Sequence, residues 1–279
     1  MIEASGADWK LLTDLLQERF GLHYAEGREE ILAARLRPRL EALHLDDLRA
    51  YYHFLRAHPA REEEFTELTR RITNNETYFF REPAHFDAIT GHIVPAFGGE
   101  LRHRPLKVLS AACSSGEEPY SLSIRLTDAG LELAGLRWEI DACDLNPLRL
   151  ETARQATYEG LAFRATDDAT RERCFRQVAP GRWELRERYR RQVKFFLANL
   201  AAPTLGVGWG AYDIILCRNM LIYFSAAAFD RLIARFAQLI RPGGYLFLGH
   251  AESLFDRSTA FAPVEFPHTM GYRRLETGG

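Results

Sequence analysis

Short apolar runs that alternate with longer helical stretches constrain the fold of residues 105–249 more strongly than any other feature. A run such as LKVLSAA (106–112) is too short for an ordinary helix and leads into small residues, which predicts a buried strand. The predicted strands are residues 106–112, 138–144, 193–197, 212–217 and 244–249. Helices are predicted between several of them, and this alternation indicates an α/β fold with a mostly parallel, doubly wound sheet. Ligands of such sheets bind beyond the carboxyl ends of the strands.

The first hundred residues are predicted to be helical instead. Leucine and aromatic residues recur there at spacings of three and four, the period of one helix face, as in the stretch from Trp9 to Phe20. Pro83 favours the start of a further helix. We therefore predict an all-α N-terminal domain over residues 1–82, a linker helix and loop over 83–104, and the sheet domain over 105–279.

One stretch of the sheet domain, about residues 160–196, does not follow the alternation of strands and helices. Charged residues dominate it, Trp183 and Leu185 belong to a weak period-two pattern, and Pro180-Gly181 is a turn signal. This pattern predicts a small antiparallel β insertion within the sheet domain.

Composition excludes several classes of protein. The chain carries 36 basic and 38 acidic residues, and a formal net charge of -2 argues against bulk nucleic-acid binding. No apolar run approaches the roughly 18 residues that a membrane span needs. The first residues show no signal-peptide pattern, so we expect a cytoplasmic protein without membrane insertion. The four cysteines are scattered without a C-x-x-C pair, so no metal site is expected.

The loop after the first predicted strand is the first candidate ligand site. In VLSAACSSGEEPYS (108–121), small residues let a ligand approach the backbone, and the start of the following helix offers free N–H groups. Glu117 and Glu118 would repel a pyrophosphate but suit a positively charged ligand, which favours S-adenosylmethionine over NAD. Acids that interact favourably with a helix dipole are the alternative interpretation.

Other polar residues follow the later strands. Asp144 ends the second strand, where an acid commonly accepts hydrogen bonds from ribose hydroxyls. An aspartate that simply forms a turn is the alternative. The residues predicted at the ends of the third and fourth strands are Asn199, Leu200, Arg218, Asn219 and Tyr223.

The segment TNNETYFFRE (73–82) combines polar and aromatic residues ahead of the linker helix. Asn75, Thr77 and Arg81 are its candidate site residues. A helix-to-loop junction with packed aromatic rings and a solvated arginine is the alternative interpretation of the same composition.

Six motifs occur between residues 73 and 254: TNNETYFFREPAHF, SAACSSGEEPYS, CDLNP, ANL, CRNMLIYF and RPGGYLFLGHAESL. In order and spacing they resemble those of CheR, the chemoreceptor glutamate methyltransferase family, and the resemblance runs from about residue 10 to the C-terminus. The family's fold is a helical N-terminal domain joined to a Rossmann-like methyltransferase domain with a small antiparallel insertion. The resemblance implies this architecture for the present chain.

The resemblance also implies roles for individual residues. Those implied to bind S-adenosylmethionine, or its product S-adenosylhomocysteine, are Asn75, Thr77, Arg81, Glu117, Asp144, Asn199, Leu200, Arg218 and Asn219. Arg81 and Tyr223 are implied to lie close to the transferred methyl group and to be catalytic. The implied partner is the cytoplasmic helical domain of a chemoreceptor.

The implied reaction methylates glutamate side chains to esters, as sensory adaptation requires. A glutamate has an unperturbed pKa of about 4.3, so it is already ionised at neutral pH and needs no general base. Arg81 is suited to hold it, because a guanidinium binds a carboxylate in a fixed geometry. Two alternatives are a methyltransferase for a small carboxylic acid, which would not need the helical domain, and a non-catalytic receptor-binding adaptor.

Two further features bear on receptor binding. Arg28, Arg35 and Arg39 recur at helical spacing, so we predict a basic stripe that docks acid-rich receptor helices, with a solvated charged face as the alternative. Some members of the family resemble one another in a longer, glycine-rich loop of the inserted hairpin, which binds a receptor C-terminal peptide. The turn Ala179-Pro180-Gly181 is shorter, which predicts an enzyme independent of such a tether.

Overall fold

The computed structural model describes residues 4–24, 27, 29–202 and 209–276, and its N-terminal part is a helical domain. The helices of this domain are α1 (Gly6–Phe20), α2 (Glu29–Leu43), α3 (Leu48–Ala57) and α4 (Arg61–Ile72). Ser5 and Asp8 begin α1 with a capping box, in which each side chain accepts the backbone N–H of the other residue. The predicted apolar stripes meet in one core that includes Leu12, Leu36 and Leu68.

The remaining residues form an α/β domain. Its helices are α5 (Pro83–Ala88), which continues through a π-helical turn (Ile89–Ile93) into α6 (Val94–Phe97), then α7 (Glu117–Asp128), α8 (Pro147–Gln155), α9 (Asp168–Cys174), α10 (Glu187–Arg190) and α11 (Ala226–Leu239). Its strands are β1 (Leu106–Ala111), β2 (Trp138–Asp144), β3 (Thr157–Glu159), β4 (Phe175–Ala179), β5 (Arg182–Leu185), β6 (Val193–Leu197), β7 (Tyr212–Cys217), β8 (Ile240–Leu248), β9 (Phe261–Phe266) and β10 (Thr269–Arg274).

The main sheet has the strand order β6-β2-β1-β7-β8-β10-β9. Strands β6, β2, β1, β7 and β8 are parallel neighbours, and they are the strands predicted from the apolar runs. Successive residues of β1 face opposite sides of the sheet, as in any strand. Val108 packs with α5 and α7, whereas Leu109 packs with α11. Helices therefore cover both faces, and the prediction of a Rossmann-like α/β fold behind an all-α domain is confirmed.

A C-terminal hairpin, β9 and β10, was not predicted from the sequence. It extends the sheet with antiparallel strands, and β10 lies between β8 and β9. Its strands are only partly buried and Pro263 interrupts the apolar pattern of β9, so neither strand resembles the buried runs that mark the parallel strands.

The insertion is a three-stranded antiparallel sheet with the order β3-β5-β4, which we call the β-subdomain. It begins at Thr157, a few residues before the expected start at about 160, and its last strand ends at Leu185. Residues 193–197, inside the expected bounds, form β6 of the main sheet instead. The early start follows from the pairing of β3 with β5, a long-range contact that three residues of sequence do not signal.

Gly116 provides a test of how closely the start of α7 packs against α8 and β6. It begins α7 with φ +92, and a Cβ there would lie 2.9 Å from the Cβ of Ala153 and 3.2 Å from the ring of Phe195. Gly181 also has a positive φ, +73, but has no atom within 4 Å of such a Cβ. We expect Gly116→Ala to lower the free energy of unfolding by about 1–3 kcal/mol more than Gly181→Ala, because only the first substitution adds a steric conflict. Denaturant midpoints measured without ligand check this, and equal losses would contradict it.

Candidate cofactor and active site

The carboxyl ends of β1, β2, β6 and β7 meet at a cleft of about 390 Å³. Residues of the helical domain, including Phe20, Tyr24 and Ile31, line its opposite wall. The segment 73–82 connects the two domains and contributes to the cleft as well. Small-molecule sites have volumes of roughly 300–1,000 Å³, so the cleft is large enough for a nucleoside cofactor.

The structure brings the predicted cofactor and catalytic residues together at this cleft, with one exception. Those that line it are Asn75, Thr77, Arg81, Asp144, Asn199, Leu200, Arg218, Asn219 and Tyr223. Glu117 does not line it, and its neighbour Glu118 does.

Glu117 points into the protein rather than toward the cleft. Its side chain is buried, Oε1 accepts a hydrogen bond from Ser115 Oγ at 3.0 Å, and burial raises its pKa to about 7. Oε2 of Glu117 has no hydrogen-bond partner among the described residues. Contrary to the expectation for Glu117, the structure therefore has Glu118 at the cleft. Successive helix residues project about 100° apart, and the sequence does not say which of the two faces the ligand.

Asp144 ends β2 with its carboxylate at the cleft. Oδ2 accepts the Ser114 N–H at 2.8 Å, and Oδ1 accepts the Asn146 N–H at 2.8 Å. Burial raises the pKa of Asp144, while these backbone hydrogen bonds favour the charged form and oppose that rise. An ionised carboxylate has about four acceptor positions, so Asp144 retains acceptor capacity for ligand hydroxyls.

Arg218 is buried and holds the interdomain segment to the sheet. Its Nη1 lies 3.2 Å from Glu118 Oε2, its Nη2 lies 3.4 Å from Glu82 Oε2, and Nη2 also donates to the backbone carbonyl of Arg81. Glu118 in turn accepts a hydrogen bond from Ser110 Oγ at 2.6 Å. The guanidinium of Arg218 is thus bound mainly by protein groups, and its contribution to the cleft is largely to position others.

Glu82, which received no role from the sequence, links this arrangement to two loops. Its Oε1 accepts from Asn219 Nδ2 at 3.3 Å and lies 3.0 Å from His250 Nδ1. Burial alone would raise the pKa of Glu82, but Arg218 and these hydrogen bonds hold it below its usual range. His85 packs beside the pair, where burial and the charge of Arg218 lower its pKa to about 4.

Glu252 is a second residue that sequence reasoning missed. Its carboxylate accepts the backbone N–H groups of Asn219 (2.9 Å), Leu221 (2.7 Å), Ile222 (3.3 Å) and Gly249 (2.7 Å). These bonds fix the loop after β7, in which Asn219 has a φ of +59. The only available signal was the position of Glu252 within the motif RPGGYLFLGHAESL, and a lone acid in a loop does not by itself predict a role.

Arg81 lines the cleft with an uncommitted charge. Its Nη1 donates to the Glu76 carbonyl at 3.1 Å, and its guanidinium carbon lies 5.8 Å from the centre of the Tyr78 ring. No carboxylate within the described ranges forms an ion pair with it. The guanidinium therefore retains donors for an external anion.

Contacts from the helical domain close the cleft beside Tyr223. The Tyr223 hydroxyl accepts a hydrogen bond from Asn74 Nδ2 at 2.6 Å, and its carbonyl accepts the His23 N–H at 2.7 Å. Asn199 Nδ2 donates to the Arg19 carbonyl at 2.7 Å. Both predicted site residues thus connect the sheet loops to the helical domain.

The structure describes two of the three residues of the predicted docking stripe, Arg35 and Arg39 of α2. Arg39 forms a two-point ion pair with the buried Glu64 of α4, which also accepts the Tyr51 hydroxyl at 2.6 Å. Arg35 lines the cleft and donates to the Ile72 carbonyl at 2.9 Å. Arg28 lies outside the described residues. The helical spacing does place Arg35 and Arg39 on one face, and that face packs against α4. Arg39 is paired there with Glu64, whereas Arg35 reaches the cleft, and a docking role for the stripe stays a prediction.

Within the part of the chain that the structure describes, no helix is both long and apolar enough to cross a membrane. The same residues contain no group of three or more His, Cys, Asp or Glu side chains arranged to hold a metal ion.

Comparison with known proteins identifies the family. Residues 7–73 match the all-alpha domain of CheR methyltransferases, and residues 75–270 match their SAM-binding domain. A chemotaxis protein methyltransferase of Salmonella typhimurium is 34% identical over 252 residues, which are 89% of this chain and 84% of that protein. Chemotaxis protein methyltransferase 2 of Vibrio cholerae is 30% identical, with 99% and 96% covered.

A probable biofilm formation methyltransferase of Pseudomonas aeruginosa, WspC, is 34% identical over 263 residues, and the chain spans only 60% of the length of that relative. The family models cover both domains described above, with a boundary between residues 73 and 75, at the interdomain segment that lines the cleft. The chain belongs to the CheR family of S-adenosylmethionine-dependent methyltransferases.

Proposed function

We propose that this protein methylates glutamate side chains in the cytoplasmic helical domain of chemoreceptors and that it acts in the cytoplasm. The observation that carries the proposal is Arg81, a guanidinium at the cofactor cleft that forms no ion pair with a carboxylate of the described residues. Such a group fits an anionic substrate side chain. The names of the Salmonella and Vibrio relatives support a role in chemotaxis.

The charges of the cleft fit the cofactor. S-adenosylmethionine supplies an electrophilic methyl group on a positively charged sulfur. The carboxylates of Asp144 and Glu118 line the same cleft, and they suit a cationic ligand with ribose hydroxyls. The apolar side chains of Phe20, Ile31 and Leu200 provide surface for the faces of a flat aromatic base.

The polar groups around the cleft are suited to orient a carboxylate rather than to activate it. A glutamate is ionised at neutral pH, so the enzyme needs to hold its oxygen in line with the methyl group. Arg81 binds one part of the carboxylate. The Tyr223 hydroxyl accepts its hydrogen bond from Asn74, so its own proton is available to the second oxygen.

Tether independence remains part of the proposal. The β4–β5 turn is tight, because Ala179 pairs directly with Arg182 across Pro180-Gly181. Arginines in and after the hairpin are also engaged in ion pairs. Arg176 and Arg190 pair with Glu184, and Arg191 pairs with Glu132 outside the insertion. A short turn and neutralised edges offer few contacts to a receptor peptide.

Arg81→Ala is the first test. We expect methyl transfer to fall roughly 10²–10³-fold, because a charged hydrogen bond made chiefly in the transition state is lost. Affinity for S-adenosylhomocysteine should fall much less. The assay uses labelled S-adenosylmethionine and receptor-containing membranes and counts base-labile methyl esters. Arg102→Ala, at an exposed arginine before β1, is the matched control. Near-normal turnover of the Arg81 variant would contradict the proposal.

Asp144→Ala should weaken binding of S-adenosylmethionine and S-adenosylhomocysteine equally, by about 10- to 100-fold, because ribose contacts do not distinguish them. Calorimetry measures both affinities. Asp141→Asn is the control. Asp141 lies on the same strand, does not line the cleft, and accepts a hydrogen bond of 2.8 Å from the Tyr212 hydroxyl. Unchanged affinity in the Asp144 variant would remove this residue from the site.

Peptides from receptor C-termini should not bind the protein at micromolar concentration. Methylation of receptors should also be unaffected by removal of their C-terminal tails, because no tether raises the effective concentration of the enzyme. Fluorescence anisotropy with labelled peptides and the ester assay on truncated receptors measure the two quantities. Micromolar binding, or a large loss of methylation on truncation, would refute tether independence.

A further inference from the structure

Arg164 of the β-subdomain contacts the segment that carries Arg81. It follows the 3₁₀ turn Gly160–Phe163, and its Nη2 donates to Glu76 Oε1 at 2.6 Å. Its guanidinium carbon also lies 3.7 Å from the centre of the Tyr78 ring. One side chain therefore makes a charged hydrogen bond and a cation–π contact to two residues of the same segment.

A deeper anchor holds the same segment to the β-subdomain. The Phe79 N–H donates to the Ala162 carbonyl at 2.9 Å. The Phe79 ring is fully buried, with ring centres 4.8 Å from Tyr158, 5.6 Å from Phe163 and 4.9 Å from Phe175. Phe79 thus ties the segment to the hydrophobic core of the β-subdomain, while Arg164 contacts the side chains of Glu76 and Tyr78, which precede Phe79, at the surface.

The two residues that Arg164 contacts are also those that contact the guanidinium of Arg81. Glu76 accepts a hydrogen bond from Arg81 Nη1 through its carbonyl, and the Tyr78 ring lies beside the Arg81 guanidinium carbon. We propose that Arg164 is a positioning residue for Arg81: by fixing Glu76 and Tyr78 from the β-subdomain, it holds the Arg81 guanidinium where the substrate carboxylate binds. This inference rests on the proposed role of Arg81.

The chemistry of the pair supports a persistent contact at neutral pH. The Arg164 guanidinium holds the pKa of Glu76 below its usual range, so the carboxylate stays ionised. The pair is largely exposed, and exposed ion pairs contribute little to stability. Loss of Arg164 is therefore expected to leave the fold intact and to change the geometry of the segment.

The main test is Arg164→Ala in the full-length protein. We expect kcat for receptor methylation to fall roughly tenfold, because small displacements of an orienting group slow transfer strongly. Affinity for S-adenosylhomocysteine should stay within about twofold of that of the wild type. Arg164→Lys keeps the ion pair but loses the planar group over Tyr78, so it should restore part of kcat. Arg182→Ala is the control, since Arg182 lies on the same subdomain with its acid, Glu159, 4.0 Å away.

A double variant tests whether Arg164 acts through Glu76. If it does, Arg164→Ala combined with Glu76→Gln should lose no more kcat than the more damaged single variant. Two results would overturn the inference and leave the proposed function standing. One is fully additive losses in the double variant, and the other is an unchanged kcat in Arg164→Ala while Arg81→Ala is impaired.

Hydrogen exchange gives a readout that needs no substrate. The amides of residues 79–81 should exchange faster in Arg164→Ala than in the wild type. In Arg182→Ala their exchange rates should equal those of the wild type. Unchanged exchange in Arg164→Ala would overturn the positioning role. Failure of the wild type to methylate receptor glutamates would instead refute the proposed function, and the exchange experiment does not depend on that result.

Discussion

The ion pairs of Arg218 are the interaction on which the rest of the site depends. This buried guanidinium joins Glu118 at the start of α7, Glu82 at the end of the interdomain segment and the carbonyl of Arg81. A buried charge is costly unless it is paired, and removal of one partner from such a group typically costs about 3–5 kcal/mol. The three chain segments are therefore held in one arrangement, and that arrangement brings Arg81 to the cleft.

The loops of the site are held by carboxylates rather than by regular secondary structure. Glu252 accepts four backbone N–H groups of the loops after β7 and β8, and Asp144 accepts two at the loop after β1 and the start of α8. Backbone donors in such loops would otherwise lack partners. With these acids bound to backbone groups, Arg81 lines the cleft without an ion-pair partner among the described residues, and its guanidinium is available to an anion.

The β-subdomain has a structural connection to the site that its location in the sequence does not show. Its core surrounds Phe79, and Arg164 contacts Glu76 and Tyr78 on the same segment. The β-subdomain thus shares a hydrophobic core with Phe79 and Phe80, the residues that precede Arg81. Changes in the β-subdomain are therefore expected to affect methyl transfer through this packing.

The sequence by itself determined the fold class and most of the cleft, because periodicity and strand ends are local properties. Apolar runs located the parallel strands, and the rule that ligands bind at carboxyl ends placed Asp144, Asn199 and Arg218 together. Tertiary structure alone decided that Glu118 and not Glu117 faces the cleft, that Arg35 and Arg39 turn toward α4, and that Glu82 and Glu252 hold the loops. Each of these depends on a partner far away in the chain, and no local pattern encodes which partner a polar side chain will meet.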